Sequence, residues 1–172
     1  MGYWGYYVVA RSERPLKELD ALGGVRDALT LLEERAGGWQ VWECPGGGAD
    51  GEQAPDPGSM NSLAAETGAP ALFAYVMDSR CAVVEAAAPS GGAWTTCLGR
   101  TAMAQYIGGD ELALEDYFLP PDDAAERAVA WAAEGARTVE RGPLLDVLRA
   151  RAEPSAEELF FRFLDRLGVV AM

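Results

Sequence analysis

The order of apolar and polar residues predicts mostly strands before residue 99 and mostly helices after it. The first stretch, Tyr3 to Arg11, is rich in aromatic and β-branched residues and leads into a turn-forming segment, which is typical of a strand. Two apolar runs separated by Asp78 and Ser79 predict a hairpin. Neither run has a polar face, so we expect other parts of the chain to cover both strands. The predicted strands are 3–11, 38–44, 71–77, 81–87 and 93–98.

Helical patterns appear twice among these strands. Apolar residues from Leu16 to Leu32 recur at helical spacing, with an interruption at Gly23-Gly24 and a stop at Gly37-Gly38. A shorter helix is predicted from a cap at Ser59 through Thr67.

The C-terminal half is predicted to be helical throughout. Its clearest helix begins at Ser155, which forms a capping box with Glu158, carries a continuous apolar face and ends at Gly168. Three other helices are predicted. One covers 101–107, the second begins at Asp122 or Asp123, and the third begins at Pro143.

Strands followed by helices indicate an α+β fold in which helices pack on a mostly antiparallel sheet of about five strands. The length of 172 residues indicates one domain, 1–172. Residues 45–60 combine glycine, proline and acidic residues, which predicts a long mobile loop. Such a loop is either functional or merely disordered, and the sequence does not decide between them.

The aromatic residues at the N-terminus raise the question of an exposed ligand platform. Strand alternation places Tyr3, Gly5 and Tyr7 on one face, and Trp4 and Tyr6 on the other. Base stacking would need basic neighbours, and only one arginine is close by in the sequence. The pattern therefore favours a first strand that is part core and part exposed edge. Gly5 indicates a close backbone approach or a bulge.

The charge of the chain restricts its partners. With 27 acidic and 14 basic residues, the formal net charge is −13, a sign that repels phosphate backbones and anionic membranes. We therefore expect no binding to nucleic acid or membranes. The acidity either serves solubility or matches a basic partner. The sequence has no apolar stretch of transmembrane length and no signal-peptide pattern, which favours the cytoplasm.

The absence of histidine excludes several kinds of catalytic site. Ser-His-Asp triads, Cys-His dyads and histidine-containing zinc sites all need an imidazole. Cys44, Cys81 and Cys97 form no CxxC pair, so we expect buried and unreactive thiols. No motif for a cofactor or metal is present, and the glycine-rich 45–60 segment lacks the lysine that a phosphate-binding loop requires.

Acidic residues concentrate in one segment of the C-terminal half. Such a cluster could hold Ca²⁺ or Mg²⁺, act as an acid and base pair, or meet a basic protein, but solvated side chains and helix caps are the more common roles. Leu112 and Leu114 can turn inward while the acids turn outward. The candidate binding residues are Asp110, Glu111, Glu115 and Asp116.

Two of the five tryptophans are candidate pocket residues, although tryptophans more often belong to a core. Trp42 is the best candidate for an exposed ring because it lies on the strand that leads into the 45–60 loop. Trp94 lies on the last predicted strand, where a pocket could form between sheet and helices.

The composition of 13 arginines to one lysine, together with "MGYWGYYVVAR" and "SAEELFFRFLDRLGV", resembles protein families of high-GC actinobacteria whose activity is uncharacterised. The resemblance covers mainly the two ends and implies a bacterial cytoplasmic protein, with no catalytic residue. The favoured hypothesis is a noncatalytic interaction domain for a basic protein, of the immunity or antitoxin kind. The alternative is a small-molecule-binding protein or carboxylate-dependent enzyme with a pocket between sheet and helices. The oligomeric state is left open.

Overall fold

A computed structural model describes residues 2–46 and 56–171, apart from the side chain of Glu111. Within these residues, six antiparallel strands form one sheet in the order β2-β3-β1-β4-β5-β6, with helices on both faces. This confirms the predicted α+β fold. The strands are β1 Gly5–Arg11, β2 Thr30–Arg35, β3 Trp39–Pro45, β4 Ala71–Met77, β5 Cys81–Ala88 and β6 Gly92–Leu98.

Five α-helices and three 3-10 segments accompany the sheet in the described ranges. None of these helices is long and apolar enough to cross a membrane. The α-helices are α1 Met60–Thr67, α2 Arg100–Ile107, α3 Pro121–Glu134, α4 Arg141–Arg149 and α5 Ala156–Arg166, and the 3-10 segments are Leu16–Glu18, Asp20–Ala28 and Glu111–Asp116.

The region predicted as a helix from Leu16 to Leu32 adopts a different structure. It forms two 3-10 segments, and strand β2 then begins at Thr30. Gly37 and Gly38 have φ angles of 82° and 87°, so they form the turn of a hairpin between β2 and β3 instead of ending a helix. Because a left-handed glycine serves both purposes, only pairing with β3 decides the structure here. This hairpin supplies the sixth strand.

Strand β1 lies inside the sheet, between β3 and β4, and not at the partly exposed edge that the sequence favoured. The close approach expected at Gly5 is present. A Cβ atom at this position would lie 2.5 Å from Oη of Tyr3 and 2.9 Å from Cα of Pro45. The glycine therefore lets the Tyr3 ring lie against the strand.

One face of the sheet is covered by α3, α4 and α5. Helix α5 begins as predicted, with Ser155 Oγ accepting a hydrogen bond from the Glu158 backbone N–H at 3.2 Å. Its buried ring of Phe160 stacks on Tyr7 of β1, with 5.7 Å between ring centroids and 9° between planes. The predicted apolar face of α5 is thus what binds it to the sheet.

The opposite face carries two separate apolar clusters. The segments at 16–28 pack with α1 over β1, β3 and β4, forming the first cluster. Helix α2 and the segment after it pack over the ends of β4, β5 and β6, forming the second. Tyr75 contacts both clusters, so it marks the strip of sheet that lies between them.

The cysteines are buried and reduced, as the sequence predicted. Burial raises the pKa of the Cys81 thiol to about 11 and that of Cys97 to about 12. A thiol reagent reacts with the thiolate, so at pH 8 we expect less than one equivalent of labelling in the native protein over an hour. All three thiols should react in denaturant. Fast native labelling of any thiol would contradict this burial.

Candidate ligand-binding trough

A row of side chains crosses the sheet between the two apolar clusters. Strand register places Cys44, Tyr6, Tyr75, Val83 and Cys97 side by side on this face. The two cysteines are buried, but the three side chains between them are half-buried although they belong to interior strands. Among the described residues, helices α1 and α2 therefore leave a strip of the sheet incompletely covered. We call it the trough and define it by Trp4, Tyr6, Tyr75, Val83, Glu85 and Tyr106.

Aromatic rings form most of the trough. Tyr6 and Tyr75 stack at 4.5 Å between centroids. Trp4 lies 6.4 Å from Tyr75 and 6.4 Å from Tyr106, with interplanar angles of 57° and 60°. Because Trp4 is tilted against both tyrosine rings, the three side chains make a corner rather than a continuous stack. The Tyr106 side of this corner is open, since Tyr106 of α2 is 60% exposed.

Glu85 places a carboxylate in the trough and is the one charged residue of β5. It is half-buried and lies in register with Phe73 of β4 and Thr95 of β6. Tyr75 is its diagonal neighbour, a relation that puts side chains about 7–8 Å apart. Oε2 of Glu85 accepts a hydrogen bond from the backbone N–H of Met60 at 3.1 Å. The carboxylate thus supports the start of α1, and its two oxygens have capacity for further donors.

The electrostatic environment of the trough is negative. Burial raises the pKa of Tyr6 to about 12, and the carboxylates of Asp56 and Glu85 add to the shift. Burial and the neighbouring Tyr106 raise the pKa of Tyr75. Both phenols are therefore neutral at physiological pH, and the charged groups that act on Tyr6 are anionic. Such a field favours a cation over an anion.

The two tryptophans proposed from the sequence lie elsewhere. Trp42 is only 5% exposed, because the 3-10 segments cover it, and its Nε1 donates to Oε1 of Gln40 at 2.8 Å. It is therefore not the exposed ring that the sequence suggested. Trp94 packs on the opposite face of the sheet and also lines a cavity of about 600 Å³ beside β6. Glu115 lines the same cavity, so these two candidates do come together.

The acidic candidates have different surroundings. Oδ1 of Asp110 accepts a hydrogen bond from the Ala113 backbone N–H at 3.0 Å and caps the 3-10 segment. Glu115 and Asp116 are exposed, and the side chain of Glu111 lies outside the described residues. Leu114 is buried as expected.

Leu112 contradicts the expected orientation, since it is 76% exposed. A 3-10 segment has three residues per turn, so positions two apart cannot share one side.

The predicted mobile loop at 45–60 falls largely on residues 47–55, which lie outside the described residues. Its mobility stays a prediction.

Sequence reasoning missed the trough but had one signal for it. A glutamate inside the apolar run "CAVVEAAA" is unexpected in a strand that is covered on both faces, since burying a charge is costly. The aromatic residues carried no such signal, because their exposure depends on where α1 and α2 end.

Comparisons of the chain with protein-family models, curated proteins and solved structures find no significant match.

Proposed function

We propose that this protein binds a small organic cation, such as a substituted ammonium compound, in the trough. The observation that carries the proposal is the combination of an incompletely covered aromatic corner, built on Tyr75 of an interior strand, with the half-buried carboxylate of Glu85. A cation within about 6 Å of an aromatic centroid is attracted to the ring face by about 0.5–2 kcal/mol. The proposal corresponds to the small-molecule alternative of the sequence analysis.

The distribution of charge supports a cationic ligand. The net charge of −13 raises the local concentration of cations around the protein. At the trough, the carboxylates of Asp56 and Glu85 both raise the pKa of Tyr6, after the larger effect of burial. An ammonium group on Tyr75, between the aromatic corner and Glu85, would therefore gain from both the ring faces and the carboxylate, whereas a neutral molecule of the same shape would gain only apolar contact.

Choline and its neutral carbon isostere, 3,3-dimethyl-1-butanol, test this charge preference directly. We expect choline to perturb the NMR signals of Trp4, Tyr75 and Tyr106 in a saturable manner. The isostere should bind at least tenfold more weakly, because it lacks the cation–π and carboxylate attraction. Equal affinity for the two compounds would contradict the proposal. So would a failure of the signals to saturate at choline concentrations up to about 50 mM, since even a weak site should be filled there.

Replacing Glu85 by glutamine isolates the carboxylate. The new side chain keeps an oxygen that can accept from the Met60 N–H, so the start of α1 should remain intact. We expect E85Q to weaken choline binding about five- to tenfold, which corresponds to about 1–1.4 kcal/mol. Binding of 3,3-dimethyl-1-butanol should not change.

The matched control is Glu115→Gln, an exposed acid outside the trough with the same change in charge. It should leave choline affinity within about twofold of the wild type, because exposed charges are screened by salt. If E115Q and E85Q weaken binding equally, the effect is one of net charge and the trough is not the site.

Binding of a basic protein is a separate hypothesis with weaker support. Asp110 is engaged as a cap, and the exposed Leu112 interrupts the acidic surface. Glu115 and Asp116 keep the exposure that such a partner would need. The half-buried aromatic corner has no role in that hypothesis, and for this reason we favour the small cation.

A further inference from the structure

A group of arginines surrounds two adjoining cavities at the start of α2. The smaller cavity has a volume of about 320 Å³ and is lined by Arg100, Arg149 and Arg151. The larger has a volume of about 520 Å³ and is lined by Arg80 and again by Arg151. Thr101 and Arg151 line both cavities, which places the two volumes next to each other.

These arginines come from separate parts of the chain. Arg80 is the last residue of the turn between β4 and β5, Arg100 begins α2, and Arg149 and Arg151 lie at the end of α4 and just beyond it. The fold, and not a run of basic residues in the sequence, therefore brings the charges together. Like charges held close together destabilise a folded chain unless anions balance them.

The balance by carboxylates is incomplete at this place. Although the chain has 27 acidic residues, the ion pairs of the described residues include neither Arg100 nor Arg151. Half-buried Arg100 donates to neutral groups, the Leu119 carbonyl at 3.4 Å and Cys97 Sγ at 3.6 Å. Arg149 shares the single oxygen Oδ1 of Asp122 with Arg141.

Acidic side chains line both cavities but do not match the arginines in the smaller one. Among the described residues that line it, Glu115 is the one acid, against three arginines. In the larger cavity, Asp78 and Glu153 stand beside Arg80 and Arg151, and Oδ1 of Asp78 accepts from the Gly2 backbone N–H. The smaller cavity is therefore the positive one, and the larger is close to neutral.

We propose that these cavities bind a small phosphate monoester, with the phosphate in the smaller cavity and the organic part in the larger. Guanidinium groups present paired N–H donors that match phosphate oxygens and stay charged at all physiological pH values. A dianionic phosphate would balance the excess positive charge of the three arginines. A volume of about 320 Å³ lies within the range of small-ligand sites.

Phenyl phosphate is a suitable probe for the full-length chain. At constant ionic strength set with sodium chloride, we expect saturable binding by calorimetry and a rise in Tm with phenyl phosphate concentration. The double variant R149Q/R151Q should bind at least tenfold more weakly, since each charge-assisted hydrogen bond is strong. Both side chains are exposed, so this variant should fold. If sodium chloride alone at the same ionic strength raises Tm by the same amount, the proposal is overturned.

A matched control removes the same charge elsewhere. Arg14 and Arg26 are exposed and lie before β2, outside both cavities, so R14Q/R26Q should bind phenyl phosphate as the wild type does. R151K keeps the positive charge but loses the paired N–H donors of the guanidinium group. We therefore expect its affinity for phenyl phosphate to lie between those of the wild type and the double variant. If R149Q/R151Q binds as tightly as R14Q/R26Q, the arginines do not form an anion site.

Discussion

Replacing Phe160 by alanine is expected to lower the free energy of unfolding by about 3–5 kcal/mol. Phe160 is fully buried, stacks on Tyr7 of β1 and lies on the apolar face of α5. Its removal leaves a cavity between helix and sheet, because the strand beneath cannot move to fill it. For a chain of this size, the loss corresponds to a decrease in Tm of about 6–20 °C, measurable by thermal or urea denaturation.

The neighbouring ring of Phe161 provides the control. Phe161 is only half-buried and contacts Tyr7 and the Arg35 guanidinium from the rim of the core. Truncation there should cost about 1–2 kcal/mol, because less apolar area is returned to water. Equal losses for the two variants, or a smaller loss for Phe160→Ala, would mean that α5 does not pack on β1 in the described orientation.

The elements that the sequence predicted well are those with local signals. Helix α5 has its start signals, Ser155 and Glu158, and its end signal, Gly168, in one short stretch of sequence. The structure has the predicted cap. Strand β2 could not be found in this way. Gly37 and Gly38 fit either a helix end or a hairpin turn, and the long-range pairing of β2 with β3 selects the turn.

Burial of individual side chains was harder to predict than the elements that carry them. Trp42 is covered by the 3-10 segments, and Gln40 Oε1 accepts from both Trp42 Nε1 and the Leu16 backbone N–H. Tyr75 remains half-exposed because two separate helices end on either side of it. Both outcomes depend on packing between distant segments, so strand alternation alone could not supply them.

The arginine cavities escaped sequence analysis for a related reason. Arg80, Arg100 and Arg149 are dispersed along an acidic chain, and the net charge of −13 argued against binding of nucleic acids and anionic membranes. Net charge describes the long-range field, whereas a ligand in a cavity responds to the groups that line it. Aromatic and basic sites can therefore occur on one acidic protein without contradiction.

Replacing Gly99 by alanine is expected to cost more than about 3 kcal/mol and to disturb the start of α2. Gly99 has a φ angle of 71°, which costs a non-glycine residue about 1–2 kcal/mol. In addition, a Cβ atom there would lie 2.6 Å from the Arg80 carbonyl oxygen and 3.2 Å from Cα of Cys81, both of which are backbone atoms that cannot rotate away. The strand or the helix must then shift.

Gly68→Ala separates the two contributions to this loss. Gly68 ends α1 with a φ angle of 70°, and a Cβ atom there meets no atom within 4 Å. We therefore expect Gly68→Ala to cost about 1–2 kcal/mol from backbone strain alone, with Gly99→Ala costing clearly more in the same urea titration. Because Gly99 directly precedes Arg100 and Thr101, its substitution should also weaken phenyl phosphate binding, while Gly68→Ala should not. If both variants lose equal stability, the contact of Gly99 with β5 is not tight, and α2 has room to move against the sheet.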